Sequence, residues 1–168
     1  IVNGHISDNP LTFVSLPKNL KQNKRELPSD EDIQKVKDSV QGEFGLLPFF
    51  LMYTGCRKSE ALALQFKDID LARKKIKITK ALYYKYNKPQ IKQPKTENGI
   101  REIPLLDKLI PYLPQGKPDD YIFSVDGSTP YPQSYFQRRW KKYQEQTGIT
   151  ATPHQLRHAY ATMLYEAG

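Results

Sequence analysis

Cysteine and histidine are scarce in this chain. The single cysteine, Cys56, excludes an intrachain disulfide and fits a reducing compartment. Three histidines beside one cysteine leave too few ligands for a structural zinc site, and no acidic cluster has metal-ligand spacing. Long apolar runs are also missing: nothing approaches the ~20 residues of a membrane span. Nothing resembles a secretory leader, and a start at Ile1 reads as a piece of a longer protein. The 168 residues allow one domain, or one domain and a linker. The hydrophobic content of 38% is low for a compact domain, but 11% aromatics argues for a core. Acids are scarce in one place above all. From Arg73 to Arg101 there are ten Lys or Arg and one acid, Glu97, so this segment carries +9 while the whole chain carries +8. The partner this implies is an acidic polymer such as nucleic acid.

Along the chain, residues 1–26 read as an approach segment, with a turn signal at Asn9-Pro10 and a basic stretch from Lys18 to Arg25. A domain begins at Leu27. Ser29 is placed to cap a helix that carries Ile33, Val36 and Val40 on one face. Leu46 to Tyr53 is apolar on every side, the pattern of a buried helix, and Gly55 should stop it in a left-handed conformation. A second helix is expected from Arg57 through Leu64. Strands follow at Phe66–Leu71 and Lys75–Thr79, then a longer polar strand to Lys95, a type I′ turn at Asn98-Gly99, and a return over Ile100–Ile103. Leu105–Leu113 is expected as a short helix, Tyr121–Phe123 as an extended piece, and Asp126-Gly127 as a turn. Gln133–Thr147 reads as a helix that ends at Gly148. The basic segment, interleaved with Tyr83, Tyr84 and Tyr86, suits a surface that tracks a phosphate backbone; a solvated edge guarded by lysines is the bland alternative. Lys75, Lys77, Lys85, Lys88, Lys92 and Arg101 are the backbone-contact candidates there. Arg138 and Arg139 offer either a second such patch or a solvated helix face.

Thr152-Pro153-His154-Gln155-Leu156-Arg157-His158 reads as a helix start. Thr152 and Gln155 have capping-box spacing, and Pro153 sits where its missing N–H costs nothing. His154 and Arg157 then share one face of the first turn, beside free amides that suit a phosphate. On its own the stretch fits an ordinary surface helix as well as an anion site. Arg57 is equally open by itself: an i,i+3 pair with Glu60, or a clamp held at a helix junction. Taken together, Arg57, Lys95, His154 and Arg157 are two guanidiniums, an amine and an imidazole without a metal cluster. That set describes metal-independent phosphoryl chemistry. The arginines neutralise a pentacoordinate phosphorane, the lysine protonates an alkoxide leaving group, and the histidine accepts the nucleophile's proton.

The chain resembles the tyrosine recombinases, the phage integrase family. The matching stretches are Tyr53-Thr54-Gly55-Cys56-Arg57-Lys58-Ser59-Glu60-Ala61-Leu62-Ala63-Leu64 with Asp68-Ile69-Asp70-Leu71, then Lys95-Thr96 through Arg101-Glu102-Ile103-Pro104-Leu105, then His154-Gln155-Leu156-Arg157-His158-Ala159-Tyr160-Ala161-Thr162. They occur in family order and span roughly residues 27–168. The resemblance implies an α+β fold: a mainly α-helical catalytic domain with a small antiparallel three-stranded sheet on one edge. It implies residues 1–26 as the linker from an N-terminal core-binding domain that is absent here. It assigns Arg57 and Arg157 to the scissile phosphate, Lys95 as general acid toward the 5′-hydroxyl, and His154 as proton acceptor. Glu60 would support Arg57, and His158 would pack or hydrogen-bond. No cofactor and no metal are needed. The partner is double-stranded DNA, on which the full-length parent assembles as a tetramer in the bacterial cytoplasm; the piece by itself should be a monomer.

One departure from the family is large. The family's nucleophilic tyrosine, which forms a 3′-phosphotyrosyl link, lies well beyond the His-x-x-Arg helix, and this chain ends eleven residues after Arg157. Tyr165 lies in the same helix, about 12 Å along its axis from Arg157, too far to attack. The nucleophile is therefore expected to be absent, and the chain to be inactive in cleavage. Two other classes remain in view. A DNA-binding protein without catalysis would use the basic sheet but has no need of the four-residue set. A metal-dependent nuclease would draw on Asp68, Asp70, Asp119 or Asp120, whose spacing is not that of a ligand set. A type IB topoisomerase shares the chemistry, but its motifs match less well.

Overall fold

The computed structural model describes residues 27–93 and 99–166, with side chains as far as Leu164. The expected linker at 1–26, Lys95 and Asn98 of the anticipated turn lie outside the described residues.

The core is organised around α2 (Leu46–Thr54), which is buried at every residue from Leu47 to Thr54. A helix this apolar all round can only sit between other elements. α1 (Asp30–Asp38) lies on one side of it; Ser29 caps α1 by accepting the Asp32 amide at 3.1 Å, and Val36 points inward. α2 stops at Gly55, whose φ of +62° is the left-handed conformation that glycine adopts without penalty. A Cβ at this position would also collide with the Tyr160 ring, so the same glycine admits the close approach of α5 (Pro153–Glu166). α5 packs its Leu156 and Ala159 into the core against α2. Its start is held by reciprocal capping: Gln155 accepts the Thr152 amide at 2.8 Å, and Thr152 accepts the Gln155 amide at 3.3 Å. α4 (Gln133–Thr147) ends at Gly148 with φ +69°, and is pinned by Phe44, whose ring meets Phe136, Trp140 and Tyr143 at centroid distances of 6.1, 6.3 and 6.2 Å.

Between α2 and α4 the chain builds the sheets. α3 (Lys58–Ala61) is a single turn with Arg57 as its N-cap, shorter than the expected 57–64 helix because Leu62 to Leu64 turn into the core. Phe66–Leu71, expected as a strand, opens as a 3-10 turn over Phe66–Asp68, closed by Asp68 accepting the Gln65 amide at 2.9 Å. Only β1 (Ile69–Asp70) is extended there. β2 (Lys75–Ile78) lies between β1 and β5 (Arg101–Pro104) in an antiparallel three-stranded sheet. Its period-two alternation buries Ile76 and Ile78 and turns Lys77 outward. The polar strand expected to run to Lys95 is instead a hairpin, β3 (Ala81–Lys85) and β4 (Lys88–Lys92), forming a separate two-stranded sheet. Tyr86 and Asn87 take φ of +49° and +66° to turn it, the pair of left-handed residues that a type I′ hairpin needs. Asn87 is anchored: its side-chain and main-chain oxygens accept the Ser134 and Gln133 amides at the start of α4, at 2.7 and 3.3 Å. Leu105–Leu113 holds a 3-10 helix over Asp107–Tyr112, with Pro111 inside it. No helix among the described residues is long and apolar enough to cross a membrane. The expected fold class is the one observed: mainly helical, with a three-stranded antiparallel sheet at one edge, to which the β3–β4 hairpin is added.

Candidate phosphate-binding site

Two helices, α3 and α5, and the sheet edge converge on Glu60. Arg57, as N-cap of α3, is fixed by its own backbone: its amide donates to Glu60 Oε2 at 2.8 Å and its Nη1 to Oε1 at 2.8 Å. From β5, Arg101 closes a two-pronged pair on the same carboxylate at 3.1 and 2.7 Å. From α5, Arg157 brings its Nη1 to 3.9 Å from Glu60 Oε2, close enough for ionic attraction and too far for a hydrogen bond. That Nη1 is buried and has no hydrogen-bond partner among the described residues. Burial alone would raise the Glu60 pKa, but hydrogen bonds from Arg101 and from the Arg57 amide and guanidinium outweigh it and hold it at about 2. Arg157 is pushed the other way, below the usual arginine range. Burial is the first cause and repulsion from Arg57 and Arg101 adds to it, with Glu60 opposing. Three guanidiniums around one carboxylate leave a surplus of two positive charges, one of them on a buried donor without a mate. Such an arrangement attracts an anion.

The space for one lies alongside. A cleft of about 530 Å³ is lined by Arg57, Lys58, Ser59, Thr152, Pro153, His154, Arg157 and His158. The α5 N-terminus, through Thr152, Pro153 and His154, forms one wall. His154 is exposed, and its Nε2 lies 2.9 Å from Nε2 of His158, one turn along α5. One of the two nitrogens must carry the proton and the other the lone pair. His158 therefore does hydrogen-bond, and the tautomers of the two rings are linked. Beneath the cleft, burial pushes the Cys56 thiol up to about 11, so it stays protonated and inert. A second recess of about 260 Å³ lies on the other side of Arg57, and Gln93 and Gly99 line it together with Lys80 and Lys92.

Arg57, His154 and Arg157 are thus brought to one cleft, while Lys95 lies outside the described residues. Lys58 and Ser59 line the cleft without any sequence signal beyond their adjacency to Arg57. The backbone-contact candidates divide. Lys77, Lys85, Lys88, Lys92 and Arg138 are exposed, and Lys75 is half-buried. Lys92 sits over the Tyr83 ring at 6.0 Å and Arg138 over Tyr135 at 5.6 Å. Arg101 and Arg139 are not presented outward. Glu60 engages the first, and Glu43 pairs with the second, whose side chain is only 13% exposed. The carboxylates weighed for a nuclease are spent on turns and ion pairs: Asp68 on Lys80 at 3.1 Å, Asp119 on Lys67 at 2.6 Å, Asp70 and Asp120 on the Arg73 and Lys117 amides. Among the described residues no group of three or more His, Cys, Asp or Glu comes together to hold a metal.

A model of the phage integrase family matches residues 45–168. The chain belongs to that family, the tyrosine recombinases. A tyrosine recombinase XerC-like protein of Caldanaerobacter subterraneus subsp. tengcongensis is 28% identical over 98% of this chain and 51% of its own length. The ICEBs1 integrase of Bacillus subtilis is 30% identical over 68% of this chain and 35% of its own. Among solved structures, the Tn1549 transposon integrase in complex with circular intermediate DNA superposes with a TM-score of 0.68 at 24% identity, covering 88% of this chain and 56% of that one. XerA recombinase gives 0.66 at 19% identity, covering 91% and 54%. At these identities the structural likeness shows the shared fold. This chain spans about half the length or less of the curated relatives described.

Proposed function

We propose that the chain is the phosphate-gripping part of a site-specific DNA recombinase, an integrase of a phage or other mobile element. The reaction is phosphodiester cleavage and rejoining through a 3′-phosphotyrosyl link, on double-stranded DNA in the bacterial cytoplasm, with the full-length protein acting as a tetramer. The observation that carries the reading is the cleft at a helix N-terminus that Arg57 and His154 share with Arg157, whose buried Nη1 has no hydrogen-bond partner among the described residues. Arg57 and Arg157 hold the non-bridging oxygens and offset the charge that builds on phosphorus, a contribution of ~3–4 kcal/mol for a single well-placed donor. His154 accepts the nucleophile's proton, its tautomer linked to that of His158. Lys95 protonates the 5′-oxygen as it leaves, the role that the family resemblance implies for it. The resemblance to the ICEBs1 integrase and the Tn1549 transposon integrase supports the biological setting.

In this proposal none of the chain's eleven tyrosines is the nucleophile. No tyrosine lines the cleft among the described residues. Tyr160 packs over Gly55, and Tyr165 lies two turns along α5 from Arg157, ~12 Å by helical rise. The chain therefore binds DNA and does not cut it. The basic β3–β4 hairpin, docked by Asn87 on α4, supplies backbone contacts through Lys85, Lys88 and Lys92. The test is Arg157→Ala in a longer polypeptide that carries the nucleophile. Cleavage falls at least ~10²-fold; near-normal cleavage contradicts the assignment.

A further inference from the structure

Arg101 is the one guanidinium of the three that lines neither recess beside Arg57. Its donors all go inward. A carboxylate has about four lone-pair sites, and Glu60 accepts four hydrogen bonds: two from Arg57, through its amide and Nη1, and two from Arg101. That carboxylate is saturated. Arg157 Nη1, at 3.9 Å, is attracted to Glu60 Oε2 but finds no acceptor site there. Without Arg101 two sites on Glu60 open, one on the oxygen that Arg157 already faces. A shift of about 1 Å would then close an Arg157–Glu60 hydrogen bond, and the surplus of two positive charges would fall to one.

We propose that Arg101 is a positioning residue of the phosphate site: it fills the acceptor capacity of Glu60, so that Arg157 stays unpaired at the wall of the cleft for a phosphodiester oxygen. Arg101 itself never touches the phosphate. Its two-pronged fork is what the role requires, since a single donor leaves one acceptor site open. Without this saturation Glu60 would compete with the DNA for Arg157; with it, Glu60 still steadies Arg57 and leaves Arg157 free. The inference rests on the proposed phosphate-binding role of Arg57 and Arg157.

The experiment is a titration of the 168-residue chain with dimethyl phosphate, followed by ¹H–¹⁵N spectra of the arginine side chains. In the native chain the Arg57 and Arg157 signals move saturably while those of Arg101 stay in place. Arg101→Gln weakens dimethyl phosphate binding at neutral pH by at least ~10-fold, the scale of losing one charge-assisted hydrogen bond. It also changes the free chain: before any phosphate is added, the Arg157 side-chain signals shift as Nη1 closes on the Glu60 oxygen that Arg101 has vacated. Arg101→Lys, which offers a point donor in place of the fork, restores only part of the affinity. Arg101 signals that move with those of Arg57 overturn the proposal, and this native-chain result stands even if the variant unfolds. Unchanged affinity in Arg101→Gln, or a loss in which the Arg157 signals of the free variant stay in place, also overturns it. If dimethyl phosphate moves neither Arg57 nor Arg157, the proposed function falls as well.

Discussion

Asp32 and Thr150 meet across 118 residues of chain: Asp32 Oδ1 accepts the Thr150 amide at 3.1 Å, and Oδ2 accepts its hydroxyl at 2.9 Å. The same Oδ2 takes the Ala151 amide at 2.9 Å, and Asp32 is only 3% exposed. A carboxylate in the first turn of α1 thereby fixes the two residues that lead into α5, and through them Thr152, His154 and Arg157. The candidate site is thereby positioned from α1.

Asp32→Ala leaves three donors without their acceptor, the buried Ala151 amide and the part-buried amide and hydroxyl of Thr150, at ~1–3 kcal/mol for a group left buried and unpaired in full. Partial relaxation brings the expected loss to ~2–4 kcal/mol. Urea unfolding measures it, with Asp32→Asn losing less because one acceptor oxygen survives. A loss within ~0.5 kcal/mol, the range of ordinary surface substitutions, contradicts the role.

Local signals in the chain were legible where one residue type has one physical use. Gly55 and Gly148 end their helices in left-handed conformations, Ser29 caps α1, and Thr152 with Gln155 caps α5. The convergence of Arg57 with Arg157 came from family motifs, since no periodicity links residues a hundred positions apart. The Tyr86–Asn87 turn was hidden because it holds no glycine; Asn87 tolerates the left-handed region and its docking on α4 holds Tyr86 there. Asp32 read as an ordinary first-turn acid, and Arg101 as one more member of a basic run. Both are claimed by partners that only the tertiary fold brings near.

Glu60 predicts an acid limb in stability. Its folded pKa of about 2 lies below its ordinary 4.5, so its stabilising effect is complete above pH ~4.5 and disappears as the pH falls toward 2. Unfolding measured from pH 6 to 2.5 should therefore show a steeper acid loss in the native chain than in Glu60→Gln. Equal slopes would mean that the arginine cluster does not hold the carboxylate ionised.

DNA binding should fall with salt, with a log–log slope of about −0.9 for each phosphate contacted. Lys85→Gln and Lys88→Gln each reduce the slope by about one contact. Arg139→Gln leaves it unchanged, because Glu43 already neutralises that side chain. Binding that ignores salt contradicts the basic-hairpin account.

Nicked and suicide DNA substrates should yield no covalent adduct with this chain. An adduct mapped to Tyr165 would show that α5 presents a nucleophile after all, and would overturn the distance argument.

The most direct measurement is a crystal structure of the chain soaked with orthovanadate, a mimic of the pentacoordinate phosphorus. The account predicts the anion in the cleft between α3 and the α5 N-terminus. It should be hydrogen-bonded to both Arg57 and Arg157, with Nη1 of Arg157 now paired and Arg101 still on Glu60. Vanadate bound elsewhere, or held without Arg157, would contradict it.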